Sequence, residues 1–404
     1  MKKVLIMTIG TGATGADIAH GLLFSIKDSN PNLLVLIGST KSFETTLGHL
    51  KNMIVGESLN TEIIENKIEE VNDLETLHFE YSKIINELVR EGYSINKIAV
   101  DYTSGTKAMS AALVSAAIEN KVGTISYVYG ERGEGGRVKT GTERRNSFSP
   151  NKFISKDIFQ KALELFNSFR YSNCIELLTD HEFHPYYQKQ AELLLNLSKM
   201  FDAWDKFNFT NAFEISKTIN LKELKEFNIK GKFETDYLPL LAKLKEKNLS
   251  VKKVFDLIEN AIRRASEYKY DDAVARLYRA LEMIGQIEFE KEFKCSTSEV
   301  NIDKLPEHLR EDLLEKYKDK KDGKVKIPLF CVFEILNEVQ NELGILFKSK
   351  IEEIKMILSL RNNSILAHGL IPLSEKDFNK ALEITLNLTS IFSKDYEVSF
   401  PKIK

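Results

Sequence analysis

Val4-Leu5-Ile6-Met7-Thr8-Ile9-Gly10-Thr11-Gly12-Ala13-Thr14-Gly15 decides how the first part of the chain folds. Val4 to Ile9 is a continuous apolar run with no polar alternation. Such a strand is buried on both faces, as in a parallel sheet covered by helices on either side. A glycine-rich turn follows, and a helix is predicted through about Ile26. Lys2 and Lys3 before only six apolar residues read as the start of a buried strand, not as a signal peptide or membrane span.

Outward from this stretch the same alternation continues. Leu33 to Ile37 is a second apolar strand ending at Gly38-Ser39-Thr40. Residues 61–73 carry no clear pattern, and a helix is predicted over about 74–91. Lys97 to Tyr102 is another strand, ending at Thr103-Ser104-Gly105-Thr106-Lys107, with an Ala-rich helix to about Asn120. Thr124 to Tyr129 is expected to pair with the segment around Arg137 to Arg145 across Gly133-Glu134-Gly135-Gly136. The predicted class for residues 1–150 is α/β: a mainly parallel, doubly wound, Rossmann-like sheet with an antiparallel edge hairpin.

Three loops of this sheet carry hydroxyls and small residues: Thr8, Gly10, Thr11 and Gly12; Gly38, Ser39 and Thr40; Thr103, Ser104, Gly105, Thr106 and Lys107. Each follows a strand, and in an open α/β sheet such loops converge on one crevice. Their hydroxyls, backbone N–H groups and the one cation suit the riboses and phosphates of a nucleotide ligand. Taken one loop at a time, the same residues cap helices and permit turns. Gly10 to Gly15 also matches G-x-G-x-x-G, the dinucleotide fingerprint. The second strand, however, ends in Gly38-Ser39-Thr40-Lys41 and lacks the acidic residue that NAD requires. An NADP reading rests on Ser39, Thr40 and Lys41.

The composition sets bounds on partners. The chain has 404 residues and a formal net charge of −2, so nucleic acid would need a local basic cleft. Three distant cysteines, Cys174, Cys295 and Cys331, fit a reducing cytoplasm and argue against a disulfide framework or a Cys-rich zinc site. His181-Glu182-Phe183-His184 lacks a third ligand and reads as a loop ahead of Pro185. No metal site is expected, and no stretch is long enough to cross a bilayer.

From about residue 155 the pattern is helical throughout. Ala162 to Leu178 and Ala261 to Leu277 look alike, each a helix, an aromatic-rich bend and a second helix. The charged run Lys316 to Lys326 reads as a mobile loop. Ser374 with Asp377 forms a capping box for a last helix to about Ser393.

The chemistry is expected in Ile351 to Gly369. Residues 351, 354, 358, 361, 365 and 368 follow the stripe of one helix face. Four are Ile or Leu, and the others are Arg361 and His368. A guanidinium and an imidazole on a buried stripe are costly unless used or satisfied. Seven residues place them about 10 Å apart along a helix axis. Two such helices packed antiparallel about a two-fold axis would bring Arg361 of one chain near His368 of the other. Such a pair suits a phosphodiester: His transfers protons and Arg stabilises developing negative charge. An ordinary helical core with paired Arg and His is the plain alternative.

Arg361-Asn362-Asn363-Ser364-Ile365-Leu366-Ala367-His368-Gly369 resembles the R-x4-6-H signature of HEPN ribonucleases. Ala275 to Gly285 is similar to an early helix of the same enzymes, with Arg276, Arg279 and Glu282 either near the cleft or on a solvated face. Asp101-Tyr102-Thr103-Ser104-Gly105-Thr106-Lys107 resembles a loop of the CARF domain, a Rossmann-like sensor of cyclic oligoadenylates, with Ser104 standing where a second glycine is common. The two together look like the CARF–HEPN ribonucleases of type III CRISPR systems.

That resemblance implies a CARF domain over 1–150, a helical connecting region over 151–250 and a HEPN domain over 251–404. It implies a cytoplasmic homodimer with no cofactor, activated allosterically by cyclic tetra- or hexa-adenylate and cleaving single-stranded RNA. Arg361 and His368 would be catalytic, with Asn362 orienting the site. A different reading keeps the nucleotide crevice and makes the helical part a partner-binding module without catalysis.

Overall fold

The computed structural model describes residues 2–12, 15–131, 138–392 and 399–403. The chain divides into two compact units, residues 1–160 with 181–189, and residues 161–180 with 190–404.

The first unit is a six-stranded sheet in the order β3-β2-β1-β4-β5-β6, with β1 Val4–Ile9, β2 Leu33–Gly38, β3 Glu62–Lys67, β4 Ile98–Asp101, β5 Thr124–Tyr129 and β6 Arg144–Phe148. All neighbours run parallel except β5 and β6. Every residue of β1 and β2 is buried, which is why neither shows polar alternation. Leu5, Met7 and Ile9 point to one face with α1 (Ala16–Ser29) and α2 (Gly48–Gly56). Val4 and Ile6 point to the other, with α3 (Leu74–Arg90) and α4 (Lys107–Glu119). Each such side chain contributes roughly 1.5–3 kcal/mol by leaving water.

Two sequence expectations change here. The patternless 61–73 segment contains β3, an edge strand paired on one side only. Its charged residues Glu62, Glu65 and Lys67 hide the period and discourage further strand pairing. The partner of β5 starts at Arg144, later than expected; the Gly133–Gly136 turn lies outside the described residues.

The second unit is helical. Its elements include α5 (Asn151–Asn167) and α7 (Pro185–Asp205), which run through the division, then α6 (Tyr171–Thr179), α8 (Phe209–Thr218), α9 (Leu238–Leu244), α10 (Val251–Ser266) and α11 (Tyr270–Phe293). They continue as α12 (Glu307–Tyr317), α13 (Leu329–Glu338), α14 (Glu342–Ser349), α15 (Ile351–Asn363) and α16 (Glu375–Thr389). The expected capping box at Ser374 and Asp377 starts α16. The Lys316–Lys326 run is a hydrogen-bonded turn, with Lys326 paired to both Asp319 and Asp322.

The two similar bends are both present, and a third lies between them. Phe169, Phe207 and Tyr268 each adopt φ near 60°, and each is followed two residues later by the aromatic that opens the next helix, Tyr171, Phe209 and Tyr270. In all three the residue after the left-handed one donates its N–H back into the preceding helix, for example Arg170 to the Leu165 carbonyl at 2.9 Å. This closes a helix end without glycine.

The largest correction concerns the motif helix. α15 stops at Asn363, so the expected stripe to His368 does not form. Ser364 turns extended, and its hydroxyl donates to the Arg361 carbonyl at 2.8 Å. Asn-Asn-Ser competes with the helix for backbone groups, which is why the turn wins here. Ile354 and Ile357 are the buried positions of α15, whereas Arg361 is half-buried and His368 exposed.

One buried charge gives this unit a pH dependence. Asp256 is 4% exposed and accepts from the Trp204 indole N–H at 2.8 Å. Burial pushes its carboxyl from 3.8 up to about 7, against the partial opposition of Arg263. The folded state therefore holds a proton that the unfolded state releases, so this contribution is complete below about pH 4 and is lost as pH rises through about 7. Asp256→Asn, neutral throughout, is expected to become more stable relative to the parent between pH 5 and pH 8. Urea unfolding followed by fluorescence of Trp204, the single tryptophan, measures this directly; parallel stability curves for the two proteins would contradict it.

Candidate functional site

The carboxyl ends of β1 and β4 meet where the strand order reverses, the position at which open α/β sheets bind ligands. Two of the three predicted loops are bonded together here. The Thr8 hydroxyl donates to the Ser104 carbonyl, and the Gly10 N–H donates to Ser104 Oγ at 2.9 Å. The helical turn after β2 clasps the same loop, with Thr46 Oγ1 donating to the Gly10 carbonyl at 2.9 Å. Gly15 has φ +73°, and a Cβ there would stand 2.0 Å from the Thr45 carbonyl oxygen. The last glycine of the G-x-G-x-x-G run thus permits this clasp.

The predicted ligand residues separate into a lock and a lip. Thr8 is fully enclosed, and Gly38 and Ser104 are buried. Thr103 Oγ1 bonds the Asp101 carboxylate and accepts the Val128 N–H at 2.8 Å. Thr106 caps α4 by accepting from Met109 N–H and donates to the Val71 carbonyl at 2.5 Å. Ser39 caps the turn after β2 by accepting from Ser42 N–H. These polar groups hold the loops in place. Gly10 and Thr11 are half-buried, while Gly12, Thr40, Gly105 and Lys107 are exposed. Lys107 occupies the first turn of α4, where backbone N–H groups and the helix dipole favour an anion. It makes no ion pair among the described residues.

A cleft of about 300 Å³ adjoins this lip, with Thr103 and Ser104 on its wall beside Asp17, His20, Val128 and Glu143. His20 Nδ1 lies 3.1 Å from Glu143 Oε1. Asp17, His20 and Glu143 were not singled out from the sequence. Asp17 and His20 stand three apart on α1 and so share a face, which was legible; Glu143 arrives from a distant segment, which was not.

In the helical unit, a turn brings the His368 backbone back to the residue that follows Arg361. The His368 N–H donates to the Asn362 carbonyl at 3.2 Å, and Ile371 N–H donates to the Asn363 carbonyl at 3.1 Å. The backbone of His368 therefore lies against the residue next to Arg361, not two helical turns away. Gly369 is required at this closure: a Cβ would sit 2.0 Å from the Asn363 carbonyl oxygen. Downstream, Leu373 N–H donates to Asp271 of α11 at 3.3 Å, which ties the loop back to the helical core.

Arg361 Nη1 donates to Asn362 Oδ1 at 3.0 Å, and its guanidinium stands 5.2 Å from the centre of the Tyr278 ring. Burial raises the Tyr278 hydroxyl above its ordinary value, Glu282 adds to the rise and Arg361 opposes it. Arg279 bonds Glu282 at 3.2 Å and Gln286 at 3.1 Å. Of the three α11 residues singled out, Arg279 and Glu282 thus adjoin the aromatic ring that Arg361 faces, while Arg276 pairs with Asp272 at 3.1 Å. Tyr278 itself was missed, because an aromatic in a helix reads first as core.

Known proteins resemble this chain in part and in overall fold. Residues 243–391 match the family model described as the Csm6 HEPN domain. No curated protein matches. Among solved structures, Enterococcus italicus Csm6 bound to cyclic hexa-2'-fluoro-hexa-dAMP is similar at a TM-score of 0.64 and 15% identity, covering 97% of this chain and 95% of that one. Can2 from Sulfobacillus thermosulfidooxidans, in complex with cyclic tetra-adenylate, matches at a TM-score of 0.25 and 13% identity over 50% of this chain and 66% of that one, too low to bear on the fold. Residues 243–391 thus resemble the Csm6 HEPN domain, and the likeness to the Enterococcus italicus structure extends over the fold of nearly the whole chain.

Proposed function

We propose that this protein is a ribonuclease of type III CRISPR defence, activated by a cyclic oligoadenylate of four or six nucleotides. The observation that supports the reading is the turn in which the His368 N–H donates to the Asn362 carbonyl, inside the segment that matches the Csm6 HEPN domain. RNA brings its own nucleophile, the 2′-OH. Its oxygen attacks the adjacent phosphorus, and the P–O5′ bond breaks. The products are a 2′,3′-cyclic phosphate and a 5′-OH, and the proton lost from the 2′-OH is balanced by the one gained at O5′. His368 is suited to one of these transfers. Arg361 neutralises the charge that builds on the phosphate oxygens, while Asn362 holds the guanidinium in place.

A homodimer fits the surface around the motif. Ile365, Leu366, Leu370 and Ile371 are 59%, 56%, 83% and 60% exposed. Four large apolar side chains flanking one loop favour burial against a second copy. The dimer reading rests on this patch and no longer on an axial separation of Arg361 and His368. In the sheet unit, the exposed lip with Lys107 suits the phosphates of the activator.

His368→Ala and Arg361→Ala are each expected to abolish RNA cleavage while activator binding persists, and EDTA is expected to leave the parent active. Gel-based cleavage of a single-stranded RNA with a panel of cyclic oligoadenylates tests all three. Wild-type cleavage rates in both variants would refute the catalytic assignment, and a folded parent that binds activator but never cuts RNA would favour the non-catalytic sensor.

Gly369→Ala should slow cleavage by about tenfold or more, because even a displacement of roughly 1 Å disturbs catalytic alignment. Activator affinity should not change. Equal rates for this variant and the parent would show that the turn does not position His368.

Lys107→Ala should raise the half-maximal activator concentration by roughly tenfold to a hundredfold, the equivalent of losing about 1–3 kcal/mol of charge-assisted bonding. Cleavage at saturating activator should largely recover. An unshifted titration curve would place the phosphates elsewhere.

A further inference from the structure

Residues 399–403 lie across the helical unit as an extended segment with no secondary structure of their own. The backbone is held at both ends by side chains. Tyr237 OH donates to the Ser399 carbonyl at 3.1 Å. At the other end Asn167 makes a paired contact: its Nδ2 donates to the Ile403 carbonyl at 2.7 Å, and its Oδ1 accepts the Ile403 N–H at 2.7 Å. One amide side chain thus reads both polar groups of a single residue.

Between these points the side chains enter a built pocket. Phe400 is 6% exposed, with its ring 4.7 Å from Phe201, 5.1 Å from Trp204 and 6.1 Å from Tyr171. The Arg263 guanidinium stacks 3.7 Å from the centre of the Phe400 ring. Arg263 is 3% exposed and uses Nε on Asp205 at 2.8 Å, while its Nη1 and Nη2 have no hydrogen-bond partner among the described residues. The ring therefore covers the face of a buried cation, a favourable arrangement once water is excluded. Pro401 follows; it has no N–H to satisfy and restricts the segment to extended conformations. Ile403 is 2% exposed.

Backbone capture at the ends with an aromatic anchor between them is how proteins bind short extended peptides. We propose that the groove between Asn167, Tyr171, Phe201, Trp204, Tyr237 and Arg263 is a peptide-docking site, and that residues 399–403 are its resident, separable occupant. The groove's walls come largely from the 161–250 stretch, which otherwise carries no motif, and the occupant follows the last helix of the HEPN match. The strap thereby joins the two parts of the helical unit. None of this depends on the proposed RNA cleavage.

The test uses the chain ended after Val398 and a fluorescent synthetic peptide of residues 399–404. The shortened chain should bind the peptide saturably at one site, and the full chain should not, its groove being filled. A peptide with Phe400→Ala should bind about a hundredfold more weakly, the usual scale for losing a buried aromatic anchor. Asn167→Ala in the shortened chain should weaken the parent peptide by about tenfold. A folded shortened chain that ignores the peptide, or binds both peptides equally, overturns the proposal. Equal binding by the full and shortened chains would mean that another segment is the true occupant, and overturns it too. Should the shortened chain not fold, hydrogen exchange in the full chain decides. The Ile403 amide should be protected, and Asn167→Ala should speed its exchange; an unprotected Ile403 amide refutes the docking.

Discussion

The buried carboxylate of Asp101 holds the end of the sheet together. It accepts from Ser25 of α1 at 2.5 Å, from Ser126 of β5 at 3.0 Å, and from both the backbone and hydroxyl of Thr103. A carboxylate removed from water is tolerable only when its oxygens are met by donors. Here the donors come from a helix, a neighbouring strand and the loop after β4. The site's geometry thus follows from one charge that must be satisfied. Thr103 in turn fixes Val128, and the next residue, Ser104, fixes Thr8 and Gly10. The lip that carries Lys107 is therefore placed by a chain of polar contacts running back to Asp101.

The helical unit uses a different constraint. Several of its helix ends are closed by left-handed aromatic or polar residues, which lets those helices follow one another with very short bends. The loop between α15 and α16 depends on Ser364, which ends α15, and on Gly369, which lets the chain return against Asn363. Both act on the backbone. Arg361 is half-exposed and His368 exposed, so neither is shut inside the helical core.

The strands of the sheet were legible because β1 and β2 are buried on both faces, and a short, continuous apolar run that stops at a glycine-rich turn suits a strand enclosed by helices. β3 was not, because an edge strand needs charge on the surface that its pairing leaves open. The end of α15 was misjudged for a related reason. Ile365 and His368 kept helical spacing with Ile354, Leu358 and Arg361, and spacing alone cannot tell a buried stripe from an exposed apolar turn. Asn362, Asn363 and Ser364 were the local signal for the stop, each able to bond the backbone better outside a helix. The third aromatic bend was present in the sequence at Phe207 and Phe209, and only its position between the other two in the fold makes it noticeable.

Local chemistry by itself determined the succession of strands and helices, the glycine-rich turn, the capping box at Ser374, and the residues that carry the resemblance to CARF and HEPN proteins. These depend on neighbours a few positions away, where hydrophobic period and hydrogen-bonding preference act directly. Tertiary structure decided which hydroxyls lock loops and which residues face outward, since Thr8 and Ser104 are 96 residues apart. It decided that Glu143 meets His20, that Tyr278 lies beneath Arg361, and that Phe400 covers Arg263. Each of those pairings is set by where packed elements bring distant residues, and no periodicity along the chain records it.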